Sequence, residues 1–239
     1  MRHSTFSLDP DILLDARRAV FLRETSTLAV ADLHLGYAWA HRHGGQLLPV
    51  SAPDDTRPRL HELVQSYAPR ELVLLGDIVH RAVRVEALQK ELCEIFHALQ
   101  KELRLVCVAG NHDRNLSRLL AECGVAAELA HEFVSGQSLF VHGDAAGFFP
   151  ARRDEILQGG GRIFIGHEHP AITLSDGVAT SAKCPCFLVG DSVIVLPAFS
   201  RWAAGTDVRS YPRMSPWARD ETFSQAVAIV GGRLLPVSL

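Results

Sequence analysis

The apolar positions of this 239-residue chain fall into short unbroken runs rather than long alternations. Thr27–Ala31 (TLAVA), residues 72–75 (LVLL), 105–109 (LVCVA), Ser138–Val141 (SLFV) and Arg162–Ile165 (RIFI) are all of strand length. Runs with so little polar alternation predict strands buried on both faces, as in a parallel sheet covered by helices. Helical spacing appears between them. Leu60, Leu63, Val64 and Tyr67 follow an N-terminal signal at Pro53-Asp54-Asp55, and Pro69 closes that helix. Residues 85–103 carry Leu88, Leu92, Ile95 and Leu99 as one apolar stripe. A shorter helix with Leu116, Leu119 and Leu120 stops near Gly124. Ile12–Asp15 and Ala19–Leu22 predict two short strands joined through Ala16-Arg17-Arg18. In the second half, 187–189 with 192–196 and 225–230 with 233–237 predict hairpins. Residues 36–53 predict a polar loop and 201–221 an irregular arm. β-α-β units therefore come first and hairpins later, in an α/β fold spanning 1–239 as a single domain.

Composition narrows this picture only modestly. With 47% hydrophobic and 21% charged residues, the chain has the balance of an ordinary globular protein. A formal charge of −3 supplies no global attraction to nucleic acid, so any such binding must rest on local patches. The N-terminal residues lack a signal-peptide pattern, and no apolar run approaches the ~20 residues of a membrane span. Five cysteines, mostly inside apolar segments, predict reduced thiols and a cytoplasmic protein. Cys184-Pro-Cys186 has no adjacent metal-binding partners and reads as two half-buried strand cysteines.

The chemistry lies at the strand ends. Five successive strands are followed by a cluster of Asp, Asn or His: Asp32 and His34, Asp77, Asn111 and His112, His142, and His167 and His169. Taken singly, Asp-x-His is also an ordinary turn with a capping carboxylate, and Gly-Asp is a common helix start. Their recurrence at five strand ends points to one site, because ligands of parallel sheets bind beyond the carboxyl ends of strands. Imidazole mixed with carboxylate and amide oxygen suits Mn²⁺, Fe²⁺ or Zn²⁺ better than Ca²⁺. Two divalent ions would carry more positive charge than Asp32 and Asp77 return, which favours an anionic substrate such as a phosphate ester.

The ordered set Asp-x-His, Gly-Asp-x-x-His, Gly-Asn-His-Asp, His-Gly and Gly-His-x-His, over residues 30–169, resembles the calcineurin-like metallophosphoesterase superfamily. ADLHLGY, LLGDIVH, GNHDR, GHEHPA, KCPCFL and VLPAFS are similar to its SbcD-related subgroup, which includes the DNA-ligase-associated PdeM type. The resemblance implies a four-layer α/β/β/α sandwich of two mixed sheets flanked by helices, without a separate capping domain. It also implies two divalent ions, most readily Mn²⁺. Asp32, His34, Asp77 and His169 would bind the first. Asp77, as the bridge, would bind the second with Asn111, His142 and His167. His112 would protonate the leaving oxygen or steady the charged transition state. Asp113 would either orient His112 or cap its loop. His80 would attend the substrate or simply start a helix. One departure is VHGD at residues 141–144 in place of the common Gly-His spelling. His131 is the substitute for His142, but it follows no predicted strand.

Three functions compete. The first is a Mn²⁺-dependent phosphodiesterase or nuclease linked to DNA repair, acting on a phosphodiester such as DNA with a ligase or helicase as partner. It draws on local cations at Arg42, Arg81, Arg84, Arg114, Arg152, Arg153 and Arg201, of which Arg42, Arg81 and Arg114 would bind substrate; the alternative for all seven is solvated surface. The second is a hydrolase of small phosphate esters or cyclic nucleotides, which the acidic balance favours. The third is a binding scaffold on a decayed site.

Overall fold

The computed structural model describes residues 4–45, 55–81, 86–144, 149–209 and 212–239. A seven-stranded sheet is laid down in sequence order: β1 (Thr5–Ser7), β2 (Ile12–Asp15), β3 (Ala19–Leu22), β4 (Thr27–Ala31), β5 (Glu71–Leu75), β6 (Arg104–Val108) and β7 (Glu128–Ala130). β1 to β4 pair antiparallel, whereas β4 to β7 pair in parallel. Parallel neighbours need crossovers. These carry α1 (Tyr37–His43), α2 (Thr56–Tyr67), α3 (Glu86–Gln100) and α4 (Leu116–Glu122).

The second sheet has nine strands and a helix, α5 (Pro150–Gln158), in one connection. Its strands are β8 (Glu132–Ser135), β9 (Ser138–Val141), β10 (Arg162–Ile165), β11 (Pro170–Ser175), β12 (Ser181–Gly190), β13 (Val193–Val195), β14 (Thr206–Asp207), β15 (Phe223–Val230) and β16 (Arg233–Ser238). They run in the order β14-β11-β12-β13-β10-β9-β8, with β15 and β16 joined through β12.

The unbroken apolar runs follow from this layering. On β5, Leu72 and Leu74 pack among Leu63 of α2 and Leu92 and Phe96 of α3. Val73 and Leu75 point the other way, into Phe140, Phe164 and Phe187 of the second sheet. The far face of that sheet, with Leu139, Ile163 and Leu188, is covered by Trp217 and by Ile156 and Leu157 of α5. Each fully buried Val, Leu or Phe contributes about 1.5–3 kcal/mol. Helices, sheet, sheet and an outer layer of α5 plus part of the arm make the expected four-layer α/β/β/α sandwich.

Several expectations need correction. The loop expected over 36–53 begins with a helix, α1, because Tyr37, Ala40 and His41 fall on one helical face; residues 46–53 lie outside the described residues. So do Pro53 and Asp54 of the helix signal, Arg84 and Val85. The arm 201–221 is not simply irregular: β14 pairs with β11, and Trp217 is fully buried. His131 does follow a strand, β7, but it is exposed. The reduced-thiol expectation fails at one pair. Cys93 on α3 and Cys123 at the end of α4 form a disulfide, their Cα atoms 5.1 Å apart. Sequence spacing could not reveal that these two helices lie side by side. Cys107, Cys184 and Cys186 are free and buried.

The turn after β2 contains a buried ion pair. Asp15 takes the Arg17 Nε at 3.0 Å, its Nη2 at 2.7 Å and the Tyr67 hydroxyl at 2.7 Å. Burial pushes the Asp15 carboxyl up, but these bonds from Arg17 and Tyr67 outweigh it and hold it below its ordinary value. The stabilisation is therefore complete above the unfolded carboxylate pKa of about 3.9 and is lost as pH falls through the lower folded value. Asp15→Ala would leave the Arg17 guanidinium buried without its carboxylate. We expect it to cost about 3–5 kcal/mol in denaturant unfolding at neutral pH.

Candidate metal centre

Five strands deliver the chemistry to one edge of the sandwich. β4 leads to Asp32 and His34, β5 to Asp77 and His80, β6 to Asn111, His112 and Asp113, β9 to His142, and β10 to His167 and His169. Backbone bonds zip these loops together: Asp32 N–H to Gly76 O at 3.2 Å, His34 N–H to Asp77 O at 2.9 Å, and Gly166 N–H to His142 O at 2.9 Å. Asp32, His34, Asp77, His167 and His169 all adopt positive φ, at 53°, 47°, 44°, 66° and 45°. Such conformations cost of order 1–3 kcal/mol each in non-glycine residues and cluster at functional sites. Two motif glycines make room. A Cβ on Gly76, itself at φ 69°, would lie 2.0 Å from His142 Nδ1, and one on Gly166 would lie 2.7 Å from Asp32 Oδ2.

Among the described residues, three groups of possible ligand atoms result: Asp32 with His34 and His169, Asp77 with His142 and His167, and His34 with His80 and His112. Within each, the atoms lie within 4.8 Å of one another. Asn111 joins the second through its Oδ1, 3.2 Å from His142 Nε2. Asp77 Oδ1 is 3.5 Å from that same nitrogen, and its Oδ2 is 3.8 Å from His112 Nε2. Asp32 Oδ1 faces both ligand groups, 3.4 Å from His169 Nε2 and 3.8 Å from His142 Nδ1. His112 Nδ1 meets the His80 carbonyl at 2.7 Å, which requires a proton on Nδ1 and turns Nε2 toward Asp77.

The donor set fits divalent ions. Burial pushes the His34 imidazole down to about 3, with His169, His80 and His112 adding to the effect against the pull of Asp32. A neutral His34 has one N–H, yet its Nε2 is 3.3 Å from His169 Nε2 and its Nδ1 is 3.4 Å from His80 Nδ1. Burial likewise lowers His167, whose Nδ1 stands 3.2 Å from His142 Nε2. The buried His142 Nδ1 has no hydrogen-bond partner. Lone pairs crowded together in this way repel one another unless cations lie among them, and neutral imidazole with carboxylate is the ligating form. Burial lowers His169 too, but the adjoining Asp32 outweighs it and raises its pKa; burial raises Asp32, and His169, His142 and His34 bring it below its usual value.

The remaining candidates differ in position. Of the two roles open to Asp113, its bonds are those of a loop cap: it accepts from the N–H groups of Ile78, Val79 and Gly110 at 3.1, 3.0 and 2.9 Å. Burial raises its pKa despite them. Arg81 is exposed and lines a cavity of about 460 Å³ beside His112. Arg42 on α1 and Arg114 after Asp113 are exposed, as is His131, which stands in none of the three groups. Sequence reasoning assigned no role to Glu168, although it sits inside the Gly-His-x-His motif. It is buried and accepts the Ser215 N–H at 2.5 Å, anchoring the arm to this loop. Nor did it single out Tyr37, whose ring lies against His80, or Trp202, which stacks on Tyr37.

Residues 25–178 match the model of the calcineurin-like phosphoesterase family. The chain belongs to that family. It is thus a metal-dependent phosphoric ester hydrolase, of a family built on a centre of two divalent ions. Among solved structures, the phosphoesterase is similar in fold to the nuclease MPE of Pseudomonas putida, with a TM-score of 0.70 and 22% identity over 99% of this chain and 100% of that one. The phosphoesterase YfcE from E. coli aligns with a TM-score of 0.42 and 14% identity, over 89% and 98% of the two chains. No curated protein sequence matches significantly. Among the described residues, no helix is long and apolar enough to cross a membrane.

Proposed function

We propose that this phosphoesterase hydrolyses phosphodiester bonds in nucleic acid, as a nuclease of the SbcD-related kind. The observation that carries the reading is the convergence of two carboxylate–imidazole groups on one sheet edge, with His80 and His112 beside them. In this reading Asp32, His34, Asp77 and His169 hold one divalent ion, and Asp77, Asn111, His142 and His167 a second. Mn²⁺ suits this mixed nitrogen and oxygen set, with Fe²⁺ and Zn²⁺ as the competitors. When bound, such a pair neutralises phosphate oxygens and lowers the pKa of water.

The protein groups do the rest. His112, with Nδ1–H donated to the His80 carbonyl, directs Nε2 toward the phosphate and protonates the departing oxygen when cationic. Asp113 keeps the Asp77 and Asn111 loops in register through three backbone N–H groups. Arg42, Arg81 and Arg114 take the flanking phosphates, and residues 1–239 act as one domain. A DNA substrate would set the enzyme in the cytoplasm, beside a repair ligase or helicase.

A second reading, hydrolysis of small phosphate esters or cyclic nucleotides, has support from the cavity of about 460 Å³ beside His112, a small-molecule size. Single-stranded and duplex DNA, RNA, cyclic nucleotides and simple mono- and diesters, each tested with Mn²⁺, separate the two. Cleavage of oligonucleotides is expected. Turnover of small esters with no cut in any nucleic acid would replace the first reading by the second.

A further inference from the structure

A set of aromatic rings leads away from the metal centre. Tyr37 lies 4.5 Å from His80 and 4.2 Å from His41, centroid to centroid. Trp202 lies parallel to Tyr37 on another side, with centroids 5.6 Å apart and planes within 5°. All four rings are partly exposed, and neither Tyr37 nor Trp202 belongs to an apolar core cluster. Burial therefore does not account for their arrangement.

The segment bearing Trp202 is held in place by an unusual concentration of bonds. The Ser200 N–H donates to the Asp32 carbonyl at 3.1 Å, joining the segment directly to a candidate ligand. Arg18 donates to the carbonyls of Ala198 at 2.8 Å and Ser200 at 2.7 Å, and Arg59 donates to that of Phe199. Arg201 pairs with Asp55 at 2.6 Å, and the Trp202 N–H donates to Ser200 Oγ at 3.2 Å. Tyr37 is fixed by its N–H to the His34 carbonyl at 3.1 Å. Two rings from distant parts of the chain are thus hung from the same loops that carry Asp32 and His34.

We propose that Trp202, braced by Tyr37, is a specificity-determining residue that stacks an unpaired nucleobase next to the phosphate being cut. The inference rests on the phosphodiesterase reading and names the part of the substrate that the site recognises outside the phosphate. A gap of 5.6 Å is too narrow for a third ring, which needs two contacts of about 3.5 Å. Since His41 and His80 already flank Tyr37, the base extends the stack from the Trp202 end. A base inside a duplex has both faces covered, so only a single-stranded or frayed site can offer one. Stacking on an aromatic side chain is indifferent to base identity and alters binding by roughly 10-fold or more per base.

The test compares full-length wild type, Trp202→Ala and Trp202→Phe on a single-stranded oligonucleotide and on the same strand with abasic residues flanking the cleavage site. Trp202→Ala should raise KM about 10-fold on the complete strand with kcat little changed, and should leave KM on the abasic strand unaltered. Trp202→Phe should restore most of the loss. In metal-free protein, the complete strand should quench tryptophan fluorescence in wild type and much less in Trp202→Phe. Equal losses on both strands would overturn the stacking role while leaving the phosphodiesterase reading intact. A wild type that neither binds nor cuts any base-bearing diester would overturn both.

Discussion

Replacing His112 by alanine is expected to lower kcat/KM on a nucleotide diester by about 10²–10⁴-fold while both metal ions stay bound. The imidazole stands 3.8 Å from Asp77 through Nε2 and is steered by the His80 carbonyl through Nδ1. It belongs to the group with His34 and His80 and to neither carboxylate-bearing group. Its side chain, 39% exposed, supports no core, so its loss should not disturb folding. A diester with a p-nitrophenolate leaving group needs little protonation, and on it the variant should lose much less. Equal losses on good and poor leaving groups would make His112 a stabiliser of transition-state charge. Wild-type activity on both would remove it from the reaction.

Asp77→Asn should release at least one ion and abolish most turnover. Changing an outer partner of a metal ligand typically costs 10–100-fold in affinity, and a direct carboxylate ligand should cost at least as much. The substitution keeps the shape and one acceptor oxygen, so the His112 N–H that now donates to Asp77 Oδ1 at 3.0 Å retains a partner. A loss of metal, read by elemental analysis of folded protein, would then reflect charge and ligation rather than collapse. Two ions retained per chain would contradict the bridge and turn attention to Asp32, whose Oδ1 faces His169 and His142 together. Wild-type protein that took up no metal at all would favour a non-catalytic scaffold.

Much of the fold was legible because its strands are covered on both faces. Burial of that kind leaves an unbroken apolar run, and Thr27–Ala31, Ser138–Val141 and Arg162–Ile165 were delimited to the residue. The short strands β7, β14 and β1, none of them with a fully buried residue, leave no such trace, since their pairing depends on a neighbour already being in place. The candidate ligand positions stood out because Asp, Asn and His directly after a strand end retain their chemistry whatever the packing. Asp113 was only half legible. Nothing in Asn-His-Asp tells whether its carboxylate turns to the imidazole or back to the loop, and it accepts from Gly110, Ile78 and Val79.

By itself, then, the sequence determined the doubly covered strands and the longer helices between them, the Asp, Asn and His clusters at five strand ends, and through its motifs the family. Those features are local, written in periodicity and residue type. Tertiary structure decided which groups share space: Cys93 with Cys123, Asp32 between two sets of imidazoles, His112 against the His80 carbonyl, and Trp202 upon Tyr37. Contacts of this kind arise when separate loops are brought to one edge by two packed sheets. No local pattern records them, because each residue's own segment would form equally well without its partner.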